Sequence, residues 1–424
     1  MFSHATPITP SPTTQPLYLG TQTLYEPGQK AYTPAPNGYE PFYINHLGRH
    51  GARYLTSSEK LDSMIDILKD AKYGNNLTPL GEQIYQKLEK LHQKEKGHFG
   101  LLSYKGVDME KGIAKRMAQR FPQVFGKKVF AVSTYIMRTK ESMHAFIGEL
   151  SQYIPNQTIQ TSSYGQVDPI LRFFDLNKDY LHYKEKGVWK KILKDYEQRS
   201  PIANKVSERL LIDSTFLDNH AKLKFAAELY ATYTNQFDIG CDVGLGKAFK
   251  EEELKYLWQN KNVSMYLEKG PSLKGINLPT DISFGLLENF LASSEEAIQK
   301  QDISANLRFA HAETIVPFAS LLGIKFASEQ VSKASEINAI WKNNIVAPMA
   351  ANIQWVFYKN KDNKVLVKML YNENEIDFPI KSEFPPYYKW SDIKEFYNKK
   401  LQQLNIPKNT SLVESVTNYE PTPK

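Results

Sequence analysis

The stretch FYINHLGRHGAR, residues 42–53, combines the two features that decide the fold, an apolar run and a turn rich in glycine and arginine directly after it. The apolar run predicts a strand, and a helical periodicity follows over about 58–72. A strand, a loop and a helix in this order indicate an α/β unit. In such folds, ligands bind at the loops that follow the carboxyl ends of strands.

Strand and helix patterns alternate over the first 150 residues and again after residue 300. In the first part, helix patterns cover about 79–91, 107–124 and 139 onward, and a strand pattern covers 128–133. In the second part, a strand and a helix cover 306–322, a hairpin covers 353–370 and a helix covers 390–404. Between them, lysine-rich helical patterns predominate and no strand pattern is clear. We therefore predict an α/β domain over 41–150 and 300–424, with a mostly parallel sheet flanked by helices, and an inserted helical cap domain over 151–299.

Residues 1–40 are interrupted repeatedly by proline, which excludes a helix. The pattern predicts an extended arm that either lies over a domain or trails from it. This segment has neither the basic start nor the apolar run of a signal peptide, and no other part of the chain is predicted to span a membrane.

Composition narrows the class of protein. Of 424 residues, 41% are hydrophobic and 23% are charged, which is typical of a globular protein and argues against a disordered or fibrous chain. The 53 basic and 46 acidic side chains leave a net charge of +7, which suits a small anionic ligand but is too low for a nucleic-acid binder. Cys241 is the sole cysteine, so an intramolecular disulfide and a cysteine-based metal site are excluded.

The turn at 49–53, here called the signature loop, carries the chemistry. His50 lies between Arg49 and Arg53. Two guanidinium groups on either side of an imidazole form a pocket for a tetrahedral dianion, with the imidazole placed to attack its phosphorus. The alternative is a solvated basic loop, since arginine and histidine also occur together by chance.

The signature loop, RHGAR, resembles the RHGxR motif of the histidine acid phosphatases, the second branch of the histidine phosphatase superfamily. Further similar segments follow in the family's order: LTPLGEQ at 77–83, STYIMRTKESMHAF at 133–146, LRFFD at 171–175 and LRFAHAETIVPF at 307–318. His-Ala-Glu at 311–313 resembles the variant found in multiple inositol polyphosphate phosphatases, a phytase-like group. Leu55 departs from the family, which often has proline there, and this affects the rigidity of the loop rather than its chemistry.

The resemblance implies a phosphoglycerate-mutase-like core and a phosphomonoester hydrolase that acts on inositol polyphosphates such as phytate. It implies His50 as the nucleophile, Glu313 as the proton donor, and Arg49, Arg53, Arg138 and His311 as the phosphate pocket, with no metal and no cofactor. For Glu313, the alternative is that the carboxylate only stabilises the start of the following helix. By analogy with exported bacterial relatives, a periplasmic or secreted location is expected, with a cytoplasmic location as the alternative.

Candidates for further substrate contacts are Tyr54, Thr56, Arg172, Lys186 and Lys190. Tyr54 and Thr56 adjoin the signature loop, and the others suit outlying phosphates, although a solvated helix face is the better explanation for each lysine taken singly.

Other functions fit the sequence less well. A broad or sugar-phosphate acid phosphatase would use the same pocket, and a non-catalytic phosphate binder would retain it without turnover. A zinc pair at His46 and His50 is disfavoured because a helix is not expected there, and GCDVGLG at 240–246 has the wrong spacing for a dinucleotide loop. The sequence thus predicts a small anionic substrate and no nucleic-acid partner, and it leaves the oligomeric state open.

Overall fold

The computed structural model describes residues 15–28 and 30–421, which fold into an eight-stranded sheet covered by helices. The strands are β1 (Glu40–Arg49), β2 (Lys128–Ser133), β3 (Ile159–Ser163), β4 (Ile303–Ala310), β5 (Asn352–Lys359), β6 (Val365–Tyr371), β7 (Asn374–Ile376) and β8 (Tyr388–Lys389). The α-helices are α1 (Glu59–Tyr73), α2 (Pro79–Glu95), α3 (Tyr104–Arg120), α4 (Met137–Tyr153), α5 (Lys178–Lys186), α6 (Trp189–Glu197), α7 (Asn204–Leu210), α8 (Asn219–Asp238), α9 (Glu251–Lys269), α10 (Leu278–Asp281), α11 (Phe284–Lys300), α12 (Ala312–Leu321), α13 (Lys325–Ser328), α14 (Ile337–Ile340), α15 (Asn343–Val346), α16 (Trp390–Gln403) and α17 (Leu412–Thr417). Within these described residues, no helix is long and apolar enough to cross a lipid bilayer.

The strand order β3-β2-β4-β1-β5-β6-β7, with β8 beside β6, divides the sheet into two halves. Neighbours among β3, β2, β4 and β1 are parallel, whereas every pairing from β1–β5 onward is antiparallel. The predicted α/β class is confirmed, with parallel strands in the centre. The sheet is mixed rather than mostly parallel, because the hairpin that the sequence indicated at 353–370 adds antiparallel strands at one side.

The central parallel strands are buried on both faces. β1 is buried from Phe42 to Arg49, and β4 is buried at all but one position. Helices α3 and α4 cover one face through residues such as Ile113 and Phe146, while α11 and α12 cover the other through Phe290 and Phe318. This two-sided cover explains why these strands lack a regular alternation of apolar and polar residues.

Packing crosses the predicted domain boundaries. β3 and all but the last residue of α11 fall within 151–299, yet β3 pairs with β2, and α11 packs against β1 and β4. β3 was not predicted from the sequence, because an edge strand with exposed polar residues lacks the apolar pattern that identifies a strand. Conversely, α1 and α2 pack with α7 and α8 in one apolar cluster that includes Leu61, Leu88 and Leu229. The division into two domains stays a prediction.

Residues 15–28 and 30–40 of the predicted arm lie across the protein, and residues 1–14 fall outside the described residues. No α-helix occurs in the described part of the arm. Leu19 is buried beside α8, the carbonyl of Thr21 accepts a hydrogen bond from Arg49, and the hydroxyl of Tyr25 donates to Glu373 at 2.9 Å. The arm is therefore in contact with the signature loop.

Candidate active site

Three strand ends meet at the carboxyl edge of the parallel half of the sheet. Arg49, which ends β1, lies in register with Ala310, which ends β4, and β2 pairs with β4 on its other side. The first residues after the three strands are His50, His311 and Thr134. Two histidines and a hydroxyl thus come together at the edge where α/β folds bind ligands.

The glycine of the signature loop allows the loop to approach α3 closely. A Cβ on Gly51 would lie 2.5 Å from the carbonyl oxygen of Gly106, and a Cβ on Gly106 would lie 2.1 Å from that of Ala52. Either side chain would force the two segments apart. The backbone N–H of Gly51 also donates to Oγ of Ser142 at 3.1 Å, so the backbone directly after His50 is anchored to α4.

His50 is buried and has one ring nitrogen available for attack. Its Nδ1 lies 2.9 Å from the carbonyl oxygen of Gly51, and because a carbonyl only accepts, the ring hydrogen is assigned to Nδ1. Nε2 therefore keeps its lone pair. Burial, followed by the charges of Arg138, Arg49 and Arg53, holds the pKa of His50 well below its ordinary value, so the ring is neutral.

The charges that act on His50 belong to a cluster of arginines. Burial and the repulsion from Arg53 lower the pKa of Arg49 and that of Arg138 to about 10, and both groups stay charged at neutral pH. The Nε groups of Arg49, Arg53, Arg138 and Arg172 are buried without a hydrogen-bond partner among the described residues. Buried donors need acceptors, and a tetrahedral oxyanion such as phosphate offers several at once.

The arm and α8 support this cluster from behind. Arg49 donates to the carbonyl of Thr21 at 2.7 Å. Asp238, at the end of α8, is buried, accepts a hydrogen bond from Gln22 at 2.8 Å, and opposes the charges of Arg53 and Arg49. The positions of two pocket arginines therefore depend on segments far along the chain.

His311 occupies the N-cap position of α12 and faces His50, with 5.8 Å between the ring centroids. Its Nε2 lies 3.0 Å from Oγ1 of Thr134 and 3.0 Å from Nη1 of Arg172, and its Nδ1 lies 3.3 Å from Nη2 of Arg138. A neutral imidazole accepts at only one nitrogen, so in either tautomer only one of the two arginines donates to the ring. The other guanidinium is available to a bound anion.

Arg172 lies closer to the two histidines than its predicted contact with an outlying phosphate implies. Its guanidinium stacks over the rings of Tyr135 at 5.0 Å and Phe174 at 5.2 Å, pairs with Asp175, and reaches His311. Only 12% of its side chain is exposed. Arg172 therefore lies with the arginines around the two histidines rather than at the distance of an outlying phosphate.

Glu313 lies in the first turn of α12 and has a partner that the sequence did not indicate. Nζ of Lys269 lies 2.9 Å from Oε1 of Glu313, whose side chain is 37% exposed. Burial raises the pKa of Glu313, but the Lys269 ammonium, His311 and a backbone hydrogen bond together lower it more, and the pKa lies well below its ordinary value. The carboxylate is ionised in this state, which suits a base, and its position also suits the helix-start role. Both roles inferred from the sequence stay open.

The four remaining candidates lie at the margin of this cluster. The ring of Tyr54 stacks on a neighbouring histidine with 4.8 Å between centroids, and Thr56 is exposed. Lys186 and Lys190 are exposed on α5 and α6. Nη1 of Arg53 donates to the backbone carbonyl of Tyr54 at 2.7 Å. Among the described residues, no hydrogen bond or ion pair joins the side chain of any of the four to the residues around His50. Their part in substrate binding stays a prediction.

The surroundings of His46 do not favour the alternative of a zinc pair. Its ring packs between Phe146 and Phe309, at 5.4 and 5.7 Å between centroids, on a strand rather than a helix. In the part of the chain that the structure describes, no group of three or more histidine, cysteine or acidic side chains is arranged to hold a metal ion.

Three residues of the site were missed by sequence reasoning. Thr134 directly follows β2, so its position at a strand end was a usable signal. Lys269 ends α9 and Asp238 ends α8. No motif marks these two residues, and each contacts a segment that is distant in sequence.

The chain is similar to known proteins over most of its length. A family model of the histidine phosphatase superfamily, branch 2, matches residues 43–372. The curated protein multiple inositol polyphosphate phosphatase 1 of Homo sapiens is 24% identical over 352 residues, which cover 74% of this chain and 69% of that protein.

The fold is shared with solved structures of other proteins. The multiple inositol polyphosphate phosphatase of Bifidobacterium longum, in complex with inositol hexasulfate, has a TM-score of 0.79 at 20% identity, with 90% of this chain and 97% of that chain covered. The phytase from D. castellii has a TM-score of 0.70 at 14% identity, with 96% and 88% covered. The likeness extends to the helices as well as the sheet, since it covers nearly the whole chain.

Proposed function

The chain belongs to branch 2 of the histidine phosphatase superfamily, and within this family we propose that it removes phosphate groups from inositol polyphosphates such as phytate. The observation that carries the proposal is the pocket around His50. A neutral imidazole with a free Nε2 lies among four arginines whose buried Nε groups lack partners within the described residues. Such a pocket binds a phosphoryl group and supplies a nucleophile for it.

The first step is transfer of the phosphoryl group to His50. Nε2 attacks phosphorus in line with the ester oxygen, the N–P bond forms and the P–O bond breaks. The guanidinium groups of Arg49, Arg53 and Arg138 neutralise the charge on the non-bridging oxygens. These fixed cations take the part that Mg²⁺ and lysine take in kinases, so the step needs no metal.

Both steps need a proton carrier. An inositol alkoxide is too basic to leave as an anion, so a carboxylic acid must protonate the ester oxygen as the bond breaks. Glu313 follows His311 by two residues, its charge acts on Arg49 and Arg138, and after donating its proton it accepts one from the water that attacks phosphohistidine. The second half of this cycle uses the ionised form in which the Lys269 contact holds Glu313.

A polyphosphorylated substrate is favoured by the lysines beside Glu313. Lys261 and Lys269 lie on α9, and the charge of Lys261 interacts with those of Lys269, Lys60 and Glu313. We call Lys60, Lys261 and Lys269 the lysine rim. A simple monoester is neutralised by the arginines alone, whereas further phosphates on an inositol ring would meet these ammonium groups. The inositol hexasulfate bound to the Bifidobacterium longum protein supports this substrate class.

The test is release of inorganic phosphate, without added metal, from phytate, glucose 6-phosphate and 4-nitrophenyl phosphate. We expect kcat/KM for phytate to exceed that for glucose 6-phosphate by about tenfold or more, because the lysine rim adds contacts to the extra phosphates. Equal values would make the protein a broad acid phosphatase. Phosphate binding without turnover of any substrate would make it a non-catalytic binder.

The variant His50→Ala should reduce turnover of all three substrates by at least about three orders of magnitude, because water in the same pocket does not replace the nucleophile. His144→Ala, at an exposed position on α4, is the matched control and should retain the parent's activity. Activity of His50→Ala within about tenfold of the parent would contradict the covalent route.

A further inference from the structure

The contact between Lys269 and Glu313 opposes part of the proposed reaction. Nζ of Lys269 is 2.9 Å from Glu313 and 3.6 Å from Glu268, and only 14% of the lysine side chain is exposed. Burial lowers the pKa of Lys269, but the charges of Glu313 and Glu268 outweigh this effect, so the lysine stays protonated. The ammonium therefore holds Glu313 as a carboxylate.

A carboxylate is ready for the second step but not for the first. To protonate the leaving oxygen, Glu313 must lose the stabilisation that Lys269 provides. Two changes achieve this together, the withdrawal of the ammonium and the arrival of a negative charge near the carboxylate. A phosphate group next to the one being transferred supplies both, since it attracts the ammonium and carries up to two negative charges.

The geometry allows such an exchange. A proton donor to the ester oxygen must lie within hydrogen-bond reach of it, and the neighbouring ring carbon of an inositol polyphosphate carries the next phosphate. Lys269 ends α9 and donates a hydrogen bond to Glu313. Its ammonium group is carried by a flexible four-carbon side chain and can move to a nearby phosphate. Glu268 remains beside it as an alternative carboxylate partner.

Resting on the proposed function, we propose that Lys269 is a specificity-determining residue that transfers its ion pair from Glu313 to the phosphate adjacent to the scissile one. Glu313 then serves as proton donor only for substrates that carry such a neighbouring phosphate. Glu313 takes up a proton from solvent when the ammonium leaves it, gives this proton to the ester oxygen as the N–P bond at His50 forms and the P–O bond breaks, and regains a proton from the attacking water. Lys269 keeps its protons throughout.

The test compares phytate with glycerol 2-phosphate, whose leaving group is also an alkoxide but which has no second phosphate. In Lys269→Met, kcat/KM for phytate should fall about tenfold or more through a higher KM, because the phosphate contact is lost. The kcat for glycerol 2-phosphate should rise about threefold or more, because Glu313 is no longer held ionised. Lys269→Arg keeps a cation and should stay within about threefold of the parent on phytate.

If the role of Lys269 were purely structural, Lys269→Met would change the activity toward both substrates in the same direction. The inference would be overturned if Lys269→Met lowered the activity toward both substrates, raised it toward both, or changed neither. A rise in activity toward glycerol 2-phosphate itself shows that Lys269→Met is folded. Lys255→Met is the matched control, since Lys255 is exposed on α9 about 21 Å from Lys269 along the helix axis, and it should leave both substrates unaffected. If the parent releases phosphate from glycerol 2-phosphate but not from phytate, the proposed function fails. If the parent hydrolyses phytate and the two substrates respond alike, only the role of Lys269 fails.

Discussion

Replacing His46 by leucine should make the fold less sensitive to acid. His46 lies in β1, four residues before His50, and both its ring nitrogens are buried without a hydrogen-bond partner among the described residues. Burial, with a further contribution from the charge of Arg308, lowers the pKa of His46 to about 3. The folded protein therefore keeps this ring neutral at pH values at which the unfolded chain protonates it.

The size of the effect follows from the two pKa values. An imidazole in an unfolded chain has a pKa of about 6.5, and each pH unit between the two values corresponds to about 1.4 kcal/mol. In this window the unfolded chain binds more protons than the folded protein, so the free energy of unfolding falls as the pH falls. At pH 4, about 2.5 units below the unfolded value, the loss from His46 reaches about 3 kcal/mol. The pKa values of His50 and His311 are also lowered by burial, and their effects act in the same direction but are common to the parent and the variant.

The assay is urea-induced unfolding of the parent and His46→Leu at about pH 7 and about pH 4. Leucine removes the titrating group. Between about pH 7 and about pH 4, the free energy of unfolding should therefore fall by about 3 kcal/mol less in the variant than in the parent. A change in packing has the same effect at both pH values and cancels in this comparison. The matched control is His144→Leu, which removes an exposed imidazole from α4 and should show no such difference. If the free energies of unfolding of the parent and His46→Leu differed by the same amount at both pH values, within about 0.5 kcal/mol, the reasoning would be refuted.

Three further results are expected. Arg138→Ala should lower kcat about 100-fold or more, because a guanidinium that neutralises charge on the transferring group is lost, whereas a change confined to KM would make Arg138 a substrate-positioning residue. Glu313→Gln should reduce kcat/KM, which reports the first step, far more for phytate than for 4-nitrophenyl phosphate, whose leaving group needs no proton, and equal losses in kcat/KM would leave Glu313 only the helix-start role. Activity should survive EDTA and be blocked by vanadate, and a loss on chelation that zinc or magnesium restores would contradict the arginine pocket.

The centre of the site could be predicted from the sequence because its parts are local. Arg49, His50 and Arg53 share one loop directly after an apolar run, and that loop lies at the carboxyl end of β1. Arg138 and His311 likewise follow β2 and β4, and adjacent parallel strands bring their carboxyl ends to one edge. Strand order, which no local pattern encodes, is what makes these three ends neighbours.

The contacts that modulate the site could not be predicted, because they join segments that are distant in sequence. The ion pair between Lys269 and Glu313 depends on how α9 packs against α12, and the bond from Arg49 to Thr21 depends on the path of the arm. Arg172 was expected further out because its motif shows a basic residue but not the direction of its side chain. β3 was missed for a different reason, since an exposed polar edge strand lacks the apolar alternation that identifies strands.

The central claim is that His50 accepts the phosphoryl group, and Glu313→Gln makes this step observable. With 4-nitrophenyl phosphate, the first step needs no proton donor, while the second lacks the base that activates water. Mixing this variant with the substrate should release a burst of about one nitrophenolate per protein, and digestion after a quench in base should give a peptide phosphorylated at His50. The double variant His50→Ala, Glu313→Gln should show neither. Turnover of the aryl phosphate without a burst and without phosphorylated His50, or a burst that persists in the double variant, would contradict the account.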